Sequence, residues 1–321
     1  MALLQVQNLT VNYRTLSGWV RAAEGVNFEV EEGIALGLAG ESGCGKTTVA
    51  MSLLKILPRG GVIRRGRVVF DGTDLVPLSE ASMRKIRWKG ISIVFQGAMN
   101  ALNPVYKVGD QIGEAIKTHE PGVSGADVKS RVEMLLETVG IEPSRADNFP
   151  HEFSGGMRQR ALIAMALAAS PKMLIADEPG TALDVIVQAQ TLKLLRDLKD
   201  RLGLSMIMIS HDLSIIAETC EKLAIMYAGK IVEYGDTRSI FRNPMHPYTQ
   251  GLIKAFPSIK GERVRLTSIP GQPPDLLHPP PACRFNPRCP YVMDICKKIE
   301  PPLEEHGDHG HLAACHLYPG S

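Results

Sequence analysis

The sequence predicts an α/β protein built on a parallel sheet, followed by a loop-rich tail of different character. Three observations carry that prediction. Short, fully apolar runs at 173–176 and 206–209 are of the kind buried on both faces in a parallel sheet. Strand-like runs alternate with helical patterns over the first 235 residues. Beyond that point lie 14 of the 22 prolines, including Pro273-Pro274 and Pro279-Pro280-Pro281, so the remainder cannot be a regular helix bundle or a central sheet.

Taken in order, 3–13 and 26–30 read as strands of a small antiparallel β region. Residues 34–38 form a short apolar strand that runs into a glycine-rich loop, and 49–57 continue a helix that stops at Pro58. Further strands are expected at 68–70 and 91–95, and helices at 110–118, at 126–139 ending at Gly140, and at 155–169 ending at Ser170-Pro171. The composition shift sets a boundary near residue 235, with a small accessory domain beyond it.

With 321 residues, 44% of them hydrophobic, the chain can bury a substantial core. Its 36 basic and 34 acidic residues leave a net charge of +2, which argues against bulk nucleic acid as a partner. The longest apolar run, 161–169, is far short of the ~18 residues that span a bilayer. The N-terminus reaches polar Gln5 almost at once and has no basic n-region, so no signal peptide is expected. A chain kept in the cytosol holds its thiols reduced, so the six cysteines are not read as disulfides.

Gly40-Glu41-Ser42-Gly43-Cys44-Gly45-Lys46-Thr47 fits the pattern G-x-x-x-x-G-K-T between a strand and a helix, which is the context a phosphate loop requires. Glycines let the backbone wrap around phosphate oxygens, and the amides at the positive end of the helix face the anion. Lys46 is expected to reach the β- and γ-phosphates and Thr47 to ligate Mg2+, with Cys44 a small space-filling side chain and Thr48 next along the helix. A glycine-rich turn without a ligand is the bland alternative, and the Lys-Thr pair at this offset weighs against it.

Met173-Leu174-Ile175-Ala176-Asp177-Glu178 is an apolar strand that ends in two acids. Asp177 at the strand tip is placed to hold Mg2+ through a water, and Glu178 to polarise an attacking water. A solvated acidic turn would be an even match for this pair taken alone; behind a phosphate loop it is not.

Those motifs establish a phosphate-loop nucleotide hydrolase, and further residues narrow it. Phe153-Ser154-Gly155-Gly156-Met157-Arg158-Gln159-Arg160 resembles the signature of ATP-binding-cassette (ABC) ATPases, with Ser154 a good N-cap. Gln96 resembles the family's Q-loop glutamine, Thr181-Ala182-Leu183-Asp184 its D-loop, His211 its switch histidine, and Tyr13 the aromatic that stacks on adenine. A lone Gln, Tyr or His is more often structural; the ordered set is not. The likeness covers nearly the whole chain. It implies a nucleotide-binding domain over 1–235 with a RecA-like core, an antiparallel β subdomain and a helical subdomain at about 97–165, then a C-terminal domain over 236–321. It also implies that Ser154, Gly155 and Gly156 dock on the γ-phosphate held by an opposite subunit, that Gln96 touches Mg2+ and water, and that His211 contacts the γ-phosphate.

Met157 where most members carry glutamine, Asn103-Pro104 after the Q-loop, and His246-Pro247-Tyr248-Thr249 in the tail resemble the D-type ATPase of dipeptide and oligopeptide importers. That resemblance implies a second ATPase of a different, F-type chain, two membrane permease subunits, an extracellular solute-binding protein, and a place on the cytoplasmic face of the membrane. Nickel and oligosaccharide importers share this ATPase type. Two departures stand out: Gly180 where a hydroxyl residue is usual after Pro179, and Gly97 where the Q-loop usually has an acid.

Cys283, Cys289, Cys296 and Cys315 lie in the last 40 residues at spacings x5, x6 and x18, without the short Cys-x2-4-Cys pairs usual for zinc. Spacing alone leaves a structural metal and unpaired thiols equally open. D-type importer ATPases carry a similar tail that binds a 4Fe-4S cluster, and the resemblance implies one here. Zn2+ is the alternative, kept open by His306, His309, His311 and His316. Two other functions were weighed. A nucleic-acid-handling ABC ATPase would bring coiled coils, tandem cassettes or basic patches, and an iron–sulfur assembly ATPase would lack the importer-type tail.

Overall fold

The computed structural model describes residues 2–97, 101–181, 183–255, 269–306 and 310–318. The chain divides into two compact units: Met1–Pro77 with Met208–Ser321, and Leu78–Ile207.

The first unit begins with a long hairpin, β1 (Ala2–Thr15) and β2 (Gly18–Glu31), closed through the Thr15–Gly18 pair. β1 matches the predicted 3–13 closely, whereas β2 begins well before the predicted 26–30, because cross-strand pairing carries polar residues such as Arg21 that break the apolar alternation. β3 (Ala35–Ala39) is buried at every residue, as the apolar run predicts. The helix after the loop, α1 (Lys46–Leu53), starts earlier and ends earlier than 49–57. β4 (Gly61–Phe70) pairs with β1 along its length, and its Arg64, Arg65 and Arg67 hide it from an apolar scan. The short β5 (Thr73–Asp74) completes a four-stranded antiparallel sheet.

In the second unit, α2 (Glu80–Ile86) is capped by Ser79. β6 (Ile91–Val94) pairs in parallel with β7 (Met173–Asp177), from Ile91 opposite Met173 to Val94 opposite Ala176. Between them lie α3 (Val108–His119), α4 (Gly125–Thr138) and α5 (Gly155–Ala166), all close to prediction. α6 (Val185–Leu202), capped by Asp184, lies outside the predicted elements. Its N-terminal Val185 and Ile186 are 80% and 72% exposed, so its apolar residues do not trace a single buried stripe.

The chain re-enters the first unit along β8 (Ser205–Ser210), which is wholly buried. α7 (Leu213–Thr219) leads to β9 (Lys222–Tyr227), parallel to β3, and β10 (Lys230–Asp236), antiparallel to β9. α8 (Thr237–Arg242) and α9 (Pro247–Lys254) follow. The tail contributes β11 (Glu304–Glu305) and β12 (Leu312–Ala313), and β12 pairs antiparallel with β10.

The tail packs part of its apolar surface on the strands of the first unit: its Phe285, 2% exposed, and Tyr248 form an aromatic cluster with Tyr227 of β9, with Phe285 at centroid distances of 5.2 Å from Tyr227 and 5.5 Å from Tyr248. Glu233 of β10 is fully buried and is held by three donors, the amides of Met245 and His246 at 2.8 and 2.9 Å and His311 Nε2 of the tail at 2.7 Å.

His246 caps α9 by accepting from the Tyr248 amide through Nδ1 at 3.1 Å, so the cap requires Nδ1 to be unprotonated. Burial depresses its pKa to about 4, against a smaller opposing pull from Glu233. The unfolded chain takes up this proton near its ordinary value of 6.5. The stabilising neutral state is therefore complete above that pH, and stability is lost as pH falls toward about 4, by about 3 kcal/mol. His246→Asn, which keeps a cap but cannot titrate, should flatten this fall. Denaturant midpoints across the window test this, and an unchanged slope would refute it.

Candidate nucleotide and cysteine sites

The phosphate loop lies in the first unit. α1 has Gly45 as N-cap and no side-chain cap, and a helix N-terminus of this kind suits an anion. Gly45 has φ 109°, and a Cβ there would meet Ala22 O at 2.2 Å. Lys46 is 5% exposed, and its Nζ donates to Gly40 O at 2.7 Å and Glu41 O at 3.0 Å. Cys44 is buried against Lys46 Nζ at 3.7 Å, and burial pushes its thiol up, which agrees with a space-filling role. Ser42 and Gly43 are exposed on the loop, and Thr47 follows Lys46 in the first turn of α1. Tyr13 Oη lies 3.3 Å from Thr48 Oγ1, which puts the ring beside the helix that opens from the loop. His211 is exposed just beyond β8, and its neighbour Asp212 caps α7.

The second unit holds the acids. Asp177 ends β7 at 1% exposure. Glu178 follows with φ 47°, a left-handed conformation that is costly for a non-glycine residue. Its Oε2 accepts from Gln96 Nε2 at 2.6 Å and from Thr181 Oγ1 at 3.0 Å, so residues 82 positions apart in sequence meet at one carboxylate. Ser154 caps α5 by accepting from the Met157 amide at 3.3 Å. Gly155 opens that helix, and a Cβ on Gly156 would meet Val187 Cγ1 at 2.5 Å, so α5 and the start of α6 pack in close contact. Of the D-loop residues, Ala182 lies outside the described residues and Asp184 caps α6. Gly180 sits against Gln188, where a hydroxyl residue would press on that side chain. Thr47 in the first unit, and Gln96 and Asp177 in the second, each carry a hard oxygen donor of the kind Mg2+ prefers.

In the tail, three of the four thiols are pushed up, each partly by its cysteine neighbours. Cys283 is pushed up to about 11, first by burial, with Cys296, Cys289 and Cys315 adding to it. Cys315 is pushed up to about 11 by burial, with Cys289 and Cys296 contributing. The amides of Phe285, Tyr291 and Leu317 each favour the thiolate of the cysteine two residues before, an arrangement suited to metal-bound sulfur. Among the described residues, however, no three His, Cys, Asp or Glu side chains are set as a ligand group. His311 is bound to Glu233 and His316 to Ile299 O, while His309 lies outside the described residues.

Sequence reasoning missed the residues that join the tail to the phosphate loop. Arg288 forks onto the Glu41 carboxylate, with Nη1 and Nη2 at 2.7 and 3.0 Å, and Tyr248 Oη accepts from the Glu41 amide at 2.9 Å. The His-Pro-Tyr motif was the only signal, and it named no partner.

A buried strand, a Gly-rich loop and Lys-Thr at a helix start, together with a buried strand that ends in paired acids, define a phosphate-loop nucleotide hydrolase. The ABC transporter family matches residues 23–181, and the family described as the oligopeptide/dipeptide transporter C-terminal region matches 232–296. The oligopeptide transport ATP-binding protein OppD of Bacillus subtilis (strain 168) is 47% identical over 322 residues, covering 99% of this chain and 89% of that protein. The dipeptide transport ATP-binding protein DppD of the same strain is 44% identical, covering 98% and 94%. A dimeric ATP-binding cassette in a post-hydrolysis state bound to ADP and phosphate superposes with a TM-score of 0.66 at 26% identity, covering 73% of this chain and 99% of that one. The chain belongs to the ABC transporter ATP-binding family and is an ATPase of that family.

Gly45 and Gly43 both have positive φ, but only Gly45 faces a backbone oxygen; nothing lies within 4 Å of a Cβ on Gly43. Gly45→Ala should cost about 3 kcal/mol or more, whereas Gly43→Ala carries only the strain cost of about 1 kcal/mol. Chemical denaturation of the two variants measures the difference, and equal losses would contradict the geometry.

Proposed function

We propose that the chain binds and hydrolyses ATP to power an importer of dipeptides or oligopeptides, from the cytoplasmic face of the membrane. One observation carries this reading: nearly the full length, tail included, aligns with peptide-transport ATP-binding proteins at 44–47% identity. No described helix is long and apolar enough to cross a membrane, so two permease subunits would supply the path. Val105 and Tyr106, 70% and 57% exposed after the Q-loop, offer apolar surface to such a subunit. A solute-binding protein would deliver the peptide, and a second, F-type ATPase would face this one. The cassette would occupy 1–235, with its helical subdomain at about 97–165, and the accessory domain 236–321.

In this reading the loop residues Gly40, Ser42, Gly43, Cys44, Gly45 and Thr48 surround the phosphates, and Tyr13 stacks on adenine. Lys46 neutralises the β- and γ-phosphates. Thr47, Gln96 and Asp177 would hold Mg2+, which offsets charge on the phosphate oxygens when bound. Glu178, oriented by Gln96 and Thr181, polarises the attacking water, and His211 contacts the γ-phosphate. Ser154, Gly155 and Gly156 present a capped helix N-terminus to the nucleotide of the opposite subunit. Glu178→Gln should retain ATP affinity within about threefold while lowering turnover of the assembled transporter by at least about 100-fold. Lys46→Ala should instead lose nucleotide binding. Near-normal hydrolysis by the glutamine variant would remove Glu178 from this role.

Cys283, Cys289, Cys296 and Cys315 would hold a 4Fe-4S cluster, which needs four thiolates. Three amides that favour thiolate support this, and the engagement of His311 and His316 elsewhere disfavours a histidine-ligated zinc. Anaerobically purified protein should carry about four irons per chain, and Cys289→Ser should remove them. One zinc without iron, or no metal, would refute the assignment.

A further inference from the structure

We propose that Arg288, which lies in the tail between Cys283 and Cys289, is a positioning residue for the phosphate loop and sets its affinity for nucleotide. The loop that must receive a polyanion contains an acid of its own, Glu41, whose side chain is 27% exposed. Left alone, that carboxylate would repel phosphate. Arg288, 4% exposed at its side chain, neutralises it with a two-pronged contact and draws it toward the tail. The guanidinium cannot drift, because Nε donates to Pro270 O at 2.9 Å and Nη2 to Ile269 O at 3.3 Å, and the group lies 5.7 Å from the Tyr227 ring centroid. The Glu41 backbone is fixed separately by its amide donating to Tyr248 Oη.

A second contact from the same segment reaches the loop through the β9–β10 turn. Arg284 donates to Ala228 O and pairs with Glu24, while the next amide, Gly229, donates to Cys44 O of the loop at 2.8 Å. Both arginines between the two cysteines thus act on the phosphate loop, one directly and one through a single peptide. The linkage is reciprocal, so nucleotide must stabilise the 283–289 segment by the factor with which that segment favours nucleotide. The proposal concerns the chain's own side chains and holds whichever group the cysteines bind.

The test measures the affinity of the full-length chain for a fluorescent ATP analogue. Arg288→Ala should weaken binding about tenfold by leaving Glu41 uncompensated beside the phosphates. Adding Glu41→Gln to that variant should restore affinity to within about threefold of wild type, because the exposed charge is gone. An affinity of Arg288→Ala within about twofold of wild type would overturn the proposal. So would a double variant as weak as the single one, since a role confined to folding the tail would not be relieved by removing an acid from the loop. Should Arg288→Ala fail to fold, Arg288→Gln decides: it removes the charge that compensates Glu41, so a loss of several-fold that Glu41→Gln relieves supports the proposal, and wild-type affinity overturns it.

Discussion

Lys46 places its amine at a position that is 5% exposed, and much of the first unit is arranged around that fact. A buried ammonium is tolerated only where several acceptors replace its water. Here the acceptors are carbonyls of the loop itself, Gly40 and Glu41, so the loop must curl back on its own lysine. Curling so tightly brings Gly45 against Ala22 O of β2 and ties Cys44 O to the Gly229 amide beyond β9. The antiparallel hairpin, the β9–β10 turn and the tail each hold one side of a loop that has no side-chain cap of its own.

The second unit solves a different problem, the holding of a carboxylate in a strained place. Glu178 takes up a left-handed backbone immediately after a wholly buried strand, so its side chain cannot follow the strand's alternation. Gln96, from the end of the neighbouring parallel strand, and Thr181, one turn on, fix its oxygen. Because β6 and β7 are in register, the glutamine and the acid arrive at the same end of the sheet, which is where open α/β sheets place their chemistry.

Legibility in the sequence followed range. Motifs confined to a few residues, such as the phosphate loop, the buried strand before Asp177 and the Ser154 cap, were readable because their geometry is set locally. β4 was only partly readable, since Arg64, Arg65 and Arg67 mask a strand defined by its partner. α6 was hidden by exposed Val185 and Ile186. The pairs Arg288–Glu41 and His311–Glu233 join residues 247 and 78 positions apart, and no periodicity marks them. The cysteine spacings said little for the same reason: what favours thiolate there is an amide two residues beyond each of three sulfurs, a property of the fold.

The tail packs closely on the rest of the first unit. Its β12 continues the sheet edge at β10, its Phe285 completes an aromatic cluster with Tyr227 and Tyr248, and its His311 satisfies an acid that would otherwise be buried with only two amide donors. A segment rich in proline gathers little regular core of its own, and part of what buries Phe285 comes from β9. That borrowing has a consequence for function. Whatever reorganises Cys283 to Cys289 must move Phe285, Arg284 or Arg288, and those side chains touch Tyr227, Ala228 and Glu41. The packing that lets the tail fold is therefore also what connects it to the phosphate loop, and neither could be altered without the other.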